Sequence, residues 1–281
     1  MSPASTEQFL LEQYARHPAS QLQDLRKALY QSVFGCEHLI TDTSAAAEGI
    51  RREAAEAGPC SREIEALDGP WSRVQLGVLA DGLTPETLAC MFARSAAMSH
   101  GDADALQEKL TVLRRLIRSG ALPYSPAEAD AELDDWRKNG FPVCRHSEEY
   151  RAAYRPAYRV LHRTYVRLLP LLAAIDRALA ENPRVLLAIE GGAASGKSTL
   201  ADLLTAIYPD TALFHADDFF LRPEQRTAAR YAQPGGNLDR ERLESEILAP
   251  ISRNEVAIYR PFDCHTLSLR EPVTILPGRL N

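Results

Sequence analysis

A glycine-rich turn set between an apolar run and a helical pattern constrains the fold of this chain more than any other feature. The segment LLAIEGGAASGKSTLADLL occupies residues 186–204, and its Gly191, Gly196, Lys197 and Ser198 fit the pattern G-x-x-x-x-G-K-[ST]. Glycines let such a loop curl until backbone N–H groups point at phosphate oxygens, and the following helix adds the positive end of its dipole. The sequence therefore predicts a phosphate-binding loop.

The residues of this loop are expected to hold ATP and Mg²⁺. The predicted nucleotide-binding residues are Gly191, Gly192, Ala193, Ala194, Ser195, Gly196, Lys197, Ser198 and Thr199. Lys197 is expected to bridge the terminal phosphates and so to act in catalysis, while Ser198 offers its hydroxyl to Mg²⁺. Apolar residues recur at helical spacing up to Ile207, which predicts a helix from Gly196 to about Ile207 that packs on a sheet.

The second half of the chain alternates between strand-like and helical patterns. After Pro183 the predicted elements are RVLLAI (184–189), the helix 196–207, TALFHA (211–216), a helix from about Arg240, VAIY (256–259) and VTIL (273–276). Alternation of this kind is typical of α/β domains with a parallel sheet. We therefore expect residues 183–281 to form an α/β P-loop domain with a parallel sheet.

Residues 1–145 carry helical patterns instead and predict a mainly α-helical domain of unassigned role. Two helix starts are marked by Thr84-Pro85-Glu86 and Ser125-Pro126-Ala127-Glu128, where a hydroxyl can cap the first turn and proline takes the first helical position. Glu128 is expected to complete a capping box with Ser125. The run WSRVQLGVL (71–79) fits either a short strand or an extended loop.

Two adjacent carboxylates follow the second predicted strand of the α/β part. They are Asp217 and Asp218 in HADDFFL (215–221), at the carboxyl edge of the expected sheet, where ligands of open α/β sheets bind. Asp217 could accept the proton of an attacking hydroxyl or hold Mg²⁺ through water. Solvated strand-end aspartates without a catalytic role are the alternative.

The order of the loop, DDFF, PGGNLDRERL (234–243) and YRPFDCH (259–265) resembles the uridine kinase-like family of P-loop small-molecule kinases. The resemblance covers residues 184–281 and implies ATP-dependent transfer to a hydroxyl, with Asp217 as the base toward the acceptor. It also implies an acceptor site at Asp239, Phe220, Tyr259 and His265. Phe220 stands where the family has tyrosine, and the His-Pro that follows the family's aspartate is absent after Asp239.

Two of these acceptor residues have alternative interpretations. Asp239 can equally be the N-cap of the helix predicted from about Arg240. The family's Tyr-Asp segment matches either Tyr259 or the pair Phe262-Asp263, with His265 downstream in both registers. His265 could contact the acceptor or share its proton, or it could be an ordinary polar side chain.

The length of the chain after the loop affects the expected architecture. Only 83 residues follow Ser198, whereas a five-stranded parallel sheet needs about four crossover units of some 30 residues each. The resembling kinases continue with a strand ending in Glu-Gly and an arginine-bearing lid, neither of which is seen here. We expect either a truncated chain or a sheet completed by a partner or oligomer, and in both cases this chain alone could be catalytically incomplete.

A tyrosine- and arginine-rich segment at 146–182 is predicted to be a helical connection between the two parts. Arginine recurs at every fourth position from Arg151 to Arg167, which on a helix gives one basic face. Such a face could contact phosphate or RNA. It could also be a solvated face that pairs with Glu148, Glu149 and the acidic run 127–135.

Composition restricts the class of protein and its compartment. No apolar run approaches the roughly 18 residues of a membrane span, and the first residues lack the pattern of a secretory signal, which predicts a cytoplasmic protein. The net charge of −6 argues against wholesale nucleic-acid binding. The leading hypothesis is an ATP-dependent kinase acting on a small hydroxyl-bearing metabolite, such as a nucleoside. The alternatives are a nucleotide-binding regulatory module with little catalysis and an RNA-contacting protein.

Overall fold

The computed structural model describes residues 3–36, 40 and 42–281. The chain divides into two compact units, residues 1–176 and 177–281. The division falls within one helix, Leu169–Glu181, and therefore inside the segment 146–182 that the sequence suggested as a connection.

The first unit is mainly helical. Its helices are α1 Pro3–Arg16, α2 Leu22–Phe34, α3 Thr43–Ala57, α4 Pro85–Ala97, α5 Ala103–Arg118, α6 Pro126–Lys138, α7 Glu148–Tyr154, α8 Arg163–Val166 and α9 Leu169–Glu181, the last of which continues into the second unit. Leucines at helical spacing on α5, including Leu106 and Leu113, are fully buried against α1 and α2. Trp71 and Trp136 complete this core.

The two helix starts marked by proline are confirmed, but one of the two caps is wrong. At α4, Thr84 Oγ1 accepts the N–H of Thr87 at 3.1 Å, and Pro85 opens the helix. At α6, Pro126 again opens the helix, but the hydroxyl of Ser125 forms no capping hydrogen bond. The capping box predicted for Ser125 and Glu128 is therefore absent.

A three-stranded antiparallel sheet lies within the first unit. Its strands are β1 Ile64–Ala66, β2 Trp71–Gln75 and β3 Tyr158–His162, with β2 in the centre. The undecided run 71–79 thus begins as a strand and continues as a 3₁₀ helix, Leu76–Asp81.

The segment 146–182 is not one helix, so the basic face that a continuous helix would give does not form. Helix α7 ends at Tyr154. Its C-cap residue Arg155 has φ 44° and precedes Pro156, and the chain then enters β3. Consequently Arg151 lies on α7 and Arg159 on β3. The regular spacing of the arginines does not place them on one helical face.

The second unit lacks the parallel sheet that the sequence predicted. Its helices are α10 Lys197–Ile207, α11 Ala228–Tyr231, α12 Arg240–Leu243 and α13 Ala249–Ser252, with a π-helical turn Glu244–Leu248 and short 3₁₀ helices Ala216–Phe219 and Pro223–Gln225. Its strands are β4 Ala257–Tyr259, β5 Phe262–Asp263, β6 Ser268–Leu269 and β7 Val273–Ile275. Strand β4 pairs antiparallel with β7, and β5 with β6. In the described residues no strands pair in parallel, so the prediction of an α/β P-loop fold is wrong.

The two apolar runs expected to start the parallel sheet do not form strands. Leu186 in the first run is 53% exposed and Leu213 in the second is 38% exposed. Strands of a parallel sheet need apolar cover on both faces, and neither run has it. Their parallel pairing is limited to isolated bridges of Val185 and of Thr211 with Leu280.

The predictions for α10 and for the strands at 257–259 and 273–275 are confirmed as elements, although those strands pair with each other. Across the described part of the chain, no helix has the length and apolar character needed to cross a membrane.

Candidate functional site

The glycine-rich loop runs directly into helix α10. Gly196 is the N-cap residue and has φ 89° and ψ 15°, a conformation that glycine adopts without the steric penalty of a Cβ. Ala194 is also left-handed, with φ 58°. These two positions turn the chain sharply between Gly191 and Lys197, and nearly every residue from 191 to 199 is exposed.

Most backbone N–H groups of the loop are free to bind an anion. The N–H of Ser195 bonds to Gly192 O at 3.3 Å, and one turn later the N–H of Leu200 bonds to Gly196 O at 2.9 Å. As far as the structure describes the chain, the N–H groups of residues 192–194 and 196–199 have no acceptor. Free N–H groups at the start of an 11-residue helix form a region of positive potential.

Lys197 is held by the loop itself. Its Nζ donates to Gly191 O and to Gly192 O, each at 2.9 Å. The ammonium group therefore sits against two carbonyl oxygens with no carboxylate partner among the described residues. Phosphate oxygens are stronger acceptors than carbonyls for a charged donor, so an arriving phosphate can replace these bonds.

The two aspartates after the loop differ in their surroundings. Asp217 is exposed and has no hydrogen-bond partner in the described part of the chain. Asp218 accepts a hydrogen bond from Tyr259 Oη at 3.0 Å. Asp217 is thus the free carboxylate of the pair, and Asp218 holds a tyrosine in place.

Tyr259 is a buried hydrogen-bond donor. It stacks on Phe219 with ring centroids 5.1 Å apart and is 5% exposed. Burial, aided by the hydrogen bond to Asp218, raises the pKa of Tyr259 to about 12. The phenol therefore stays protonated at neutral pH.

Asp239 acts as a helix cap. It is 1% exposed, its Oδ1 accepts the N–H of Arg242 at 3.2 Å, and its Oδ2 accepts from Gln225 Nε2 at 2.8 Å. Of the two interpretations of Asp239, these contacts favour the N-cap of α12, because both carboxylate oxygens are engaged inside the protein.

Phe220 and His265, which were also predicted to contact the acceptor, lie in different structural surroundings. Phe220 is half-buried, and its backbone forms an isolated antiparallel β-bridge with Leu238. His265 is exposed in the turn between β5 and β6, where its backbone N–H donates to Asp263 Oδ1 at 2.8 Å. Asp263 also accepts from Arg270 Nε at 3.0 Å, so its carboxylate stabilises the hairpin.

Residue Leu280 relates the loop to Asp217 within the second unit. It forms isolated parallel β-bridges with Val185 and with Thr211, and the N–H of Ala212 bonds to Leu280 O at 2.9 Å. The loop begins at Gly191, which follows Val185 by the same number of residues as Asp217 follows Thr211. The segment from Val185 to the loop and the segment from Thr211 to Asp217 therefore run in the same direction.

A buried polar network in the first unit was not predicted from the sequence. His146 contacts Asp24 and Tyr158, and Arg73 is 1% exposed, with its Nη1 3.2 Å from Glu65 Oε2. Arg73 stood in the undecided run 71–79, where a charged residue inside an apolar run was the one available signal. Its other partners, Gln31 and Gln13, lie 42 and 60 residues away along the chain, so spacing could not identify them.

No cluster of three or more His, Cys, Asp or Glu side chains suited to a metal is formed by the residues that the structure describes. The five cysteines are free thiols, and burial raises the pKa of Cys36 to about 12. Compared with known proteins, the chain has no significant match among family models, curated proteins or solved structures.

Proposed function

We propose that this chain binds ATP at the loop 191–199 and transfers its terminal phosphoryl group to a hydroxyl of a small metabolite, with nucleosides as the first candidates. The observation that carries the proposal is the row of backbone N–H groups around Lys197 that have no acceptor among the described residues. Such groups stabilise the negative charge of a polyphosphate at short range.

Lys197 and Ser198 supply the side chains of this site. The ammonium of Lys197 exchanges its two carbonyl acceptors for phosphate oxygens, as a charge-assisted bond favours. The exposed hydroxyl of Ser198 would hold Mg²⁺, which is bound in such sites by few protein ligands together with phosphate and water. Bound there, Mg²⁺ would neutralise charge on the phosphates.

Asp217 is proposed to accept the proton of the acceptor hydroxyl. Its carboxylate has no partner in the part of the chain that the structure describes. The segment that leads to Asp217 and the segment that leads to the loop both form parallel bridges with Leu280, so they run in the same direction. Asp218 and Tyr259 support the short helix that carries it. Free thiols and the need for ATP are consistent with the cytoplasm as the place of action.

The binding step is tested by isothermal titration calorimetry of the full chain with Mg-ATP. Lys197→Ala is expected to lower the affinity at least about tenfold, since a charge-assisted bond to phosphate is lost. The matched control is Lys138→Ala at the exposed end of α6, which should bind as the wild type does. Equal affinity in the Lys197 and Lys138 variants would refute the loop as the site.

The transfer step is tested by ADP formation with a panel of nucleosides, sugars and vitamins. Asp217→Asn should keep ATP affinity but abolish acceptor-stimulated turnover, whereas the exposed control Asp202→Asn should retain it. Turnover that survives in Asp217→Asn would remove its role as base. ATP binding with no acceptor-dependent turnover in the wild type would instead favour a nucleotide-binding regulatory module. The engagement of Asp239 as a cap already favours that second candidate, because it leaves fewer groups for an acceptor.

A further inference from the structure

A cavity in the first unit is large enough for a small organic ligand. Its volume is about 730 Å³, and it lies between α2, the end of α3 and the segment 143–160. Ligand sites in proteins typically have volumes of roughly 300–1,000 Å³.

The lining of this cavity is strongly basic. The charged residues that line it, apart from histidine, are Lys27, Arg145, Arg151, Arg155, Arg159, Glu53 and Glu56. Arg159 neutralises Glu53, with Nη2 2.7 Å from Oε2. Within the described ranges, Arg145, Arg151 and Arg155 form no ion pair. This local excess of positive charge contrasts with a net charge of −6 for the whole chain.

The remaining lining offers apolar surface to a ligand. Tyr30, Phe92 and Val160 contribute aromatic and aliphatic surface. Gln31 and Tyr158 contribute polar groups, but Gln31 Nε2 already donates to Tyr158 Oη at 3.3 Å. The polar groups at this wall are therefore largely satisfied, and the charge selection rests on the arginines.

The backbone at Arg155 is held in a strained conformation beside the cavity. Arg155 has φ 44° and ψ 58°, and its N–H bonds to Arg151 O at 3.0 Å. A left-handed non-glycine residue costs about 1–2 kcal/mol, and such strain clusters at functional sites. Here it closes α7 so that Arg151 and Arg155 stand one turn apart at the cavity.

We propose that this cavity binds a small aromatic compound carrying a phosphate monoester. Three arginines without acidic partners among the described residues match a dianion better than a single carboxylate, and the guanidinium fork fits phosphate oxygens in pairs. The aromatic and aliphatic wall receives the ring. This proposal does not rest on the proposed kinase function, since the site is formed entirely by residues of the first unit.

The test is calorimetric titration of the full chain with phenyl phosphate, phenol and inorganic phosphate. Wild type and Lys197→Ala should bind phenyl phosphate equally, which separates the cavity from the glycine-rich loop. Phenol and inorganic phosphate should each bind about tenfold more weakly, because each lacks one half of the recognised structure. Absence of phenyl phosphate binding at millimolar concentration, or its loss in Lys197→Ala, would overturn the proposal.

The arginines are tested by the double variant Arg151→Ala/Arg155→Gly. Both side chains are exposed, and glycine relieves the strain at position 155, so the fold is expected to persist. Affinity for phenyl phosphate should fall about tenfold or more. The matched control is Arg163→Ala/Arg167→Ala, which removes two arginines of the same series that do not line the cavity. An equal loss in both double variants would overturn the site, since it would indicate a diffuse basic surface.

Discussion

His146 Nδ1 lies 2.8 Å from Asp24 Oδ1, and this contact fixes the position of the imidazole proton. The Asp24 carboxylate also accepts the N–H of Gln21 at 2.9 Å and both the N–H and the hydroxyl of Ser147. Because a carboxylate in such surroundings is an acceptor, Nδ1 must donate. His146 Nε2 is then unprotonated and accepts from Tyr158 Oη at 2.6 Å.

The stability of the first unit should depend on pH through His146. Burial, opposed by the hydrogen bond to Asp24, lowers the pKa of His146 to about 4. The unfolded chain, with a histidine pKa near 6.5, binds more protons than the folded chain between these values. The free energy of unfolding should therefore fall by about 3 kcal/mol as the pH is lowered from 7 to 4.

Tryptophan fluorescence measures this effect in one unit alone, because Trp71 and Trp136 are the only tryptophans and both lie in the first core. Urea unfolding of His146→Gln should show a flatter dependence on pH than the wild type shows. His100→Gln, at an exposed histidine of the same unit, should keep the wild-type dependence. If the free energy of unfolding of His146→Gln depended on pH as that of the wild type does, His146 would not be the source of the effect.

The buried ion pair of Arg73 and Glu65 should be costly to break from one side. Arg73→Met leaves Glu65, which is 6% exposed, with only the more distant Arg16, whose Nη1 lies 3.9 Å from Oε1, and should destabilise the first unit by about 3–5 kcal/mol. Arg73→Met/Glu65→Leu should recover much of this loss, since no charge stays buried. The exposed pair Arg62–Asp81 gives the control, because Arg62→Met should cost under about 1 kcal/mol. Urea unfolding followed by tryptophan fluorescence measures the free energy of unfolding of each variant. Similar losses of stability in Arg73→Met and Arg62→Met would contradict the prediction.

Local sequence signals predicted the elements that are stabilised locally. Pro85 after Thr84 and the glycine before Lys197 set helix starts through backbone preferences of neighbouring residues, and both helices form there. The glycine-rich loop was found for the same reason. Its free N–H groups follow from a short segment and need no distant partner.

Features that depend on distant pairing were missed. Strand β3 exists because Val160 pairs with Arg73, far away in sequence, and the regular arginine spacing around it suggested a helix instead. The run around Leu186 looked like a buried strand, but burial is decided by whether other elements cover it. The candidate site also depends on distant contacts, because no sequence motif shows that Gln225 donates a hydrogen bond to Asp239.

Asp239 should contribute to stability through its helix cap. Asp239→Ala removes the acceptor for the N–H of Arg242 and leaves Gln225 without its partner, so the second unit should lose about 1–2 kcal/mol. Asp239→Asn keeps one capping oxygen and should cost less. Hydrogen exchange of the backbone amides in 238–252 measures both, with the exposed Asp217→Ala as a control expected to change little. Unchanged exchange in Asp239→Ala, together with lost acceptor use, would return Asp239 to an acceptor-binding role.

The same substitution should have opposite effects at two glycines. At Gly196 an added Cβ meets no atom within 4 Å, so the cost of Gly196→Ala comes from φ 89° alone and should be about 1–2 kcal/mol. Gly49 also has open space around it but lies inside helix α3, where alanine should stabilise by roughly 0.5–1 kcal/mol. Amide exchange at Leu200 and in the next turn of α10, residues 201–204, should quicken in Gly196→Ala, because these N–H groups are hydrogen-bonded at the start of the helix. Tryptophan fluorescence should show a higher urea midpoint in Gly49→Ala. If Gly196→Ala leaves exchange unchanged, the left-handed turn does not hold the start of α10, and its free N–H groups would not be preorganised for phosphate.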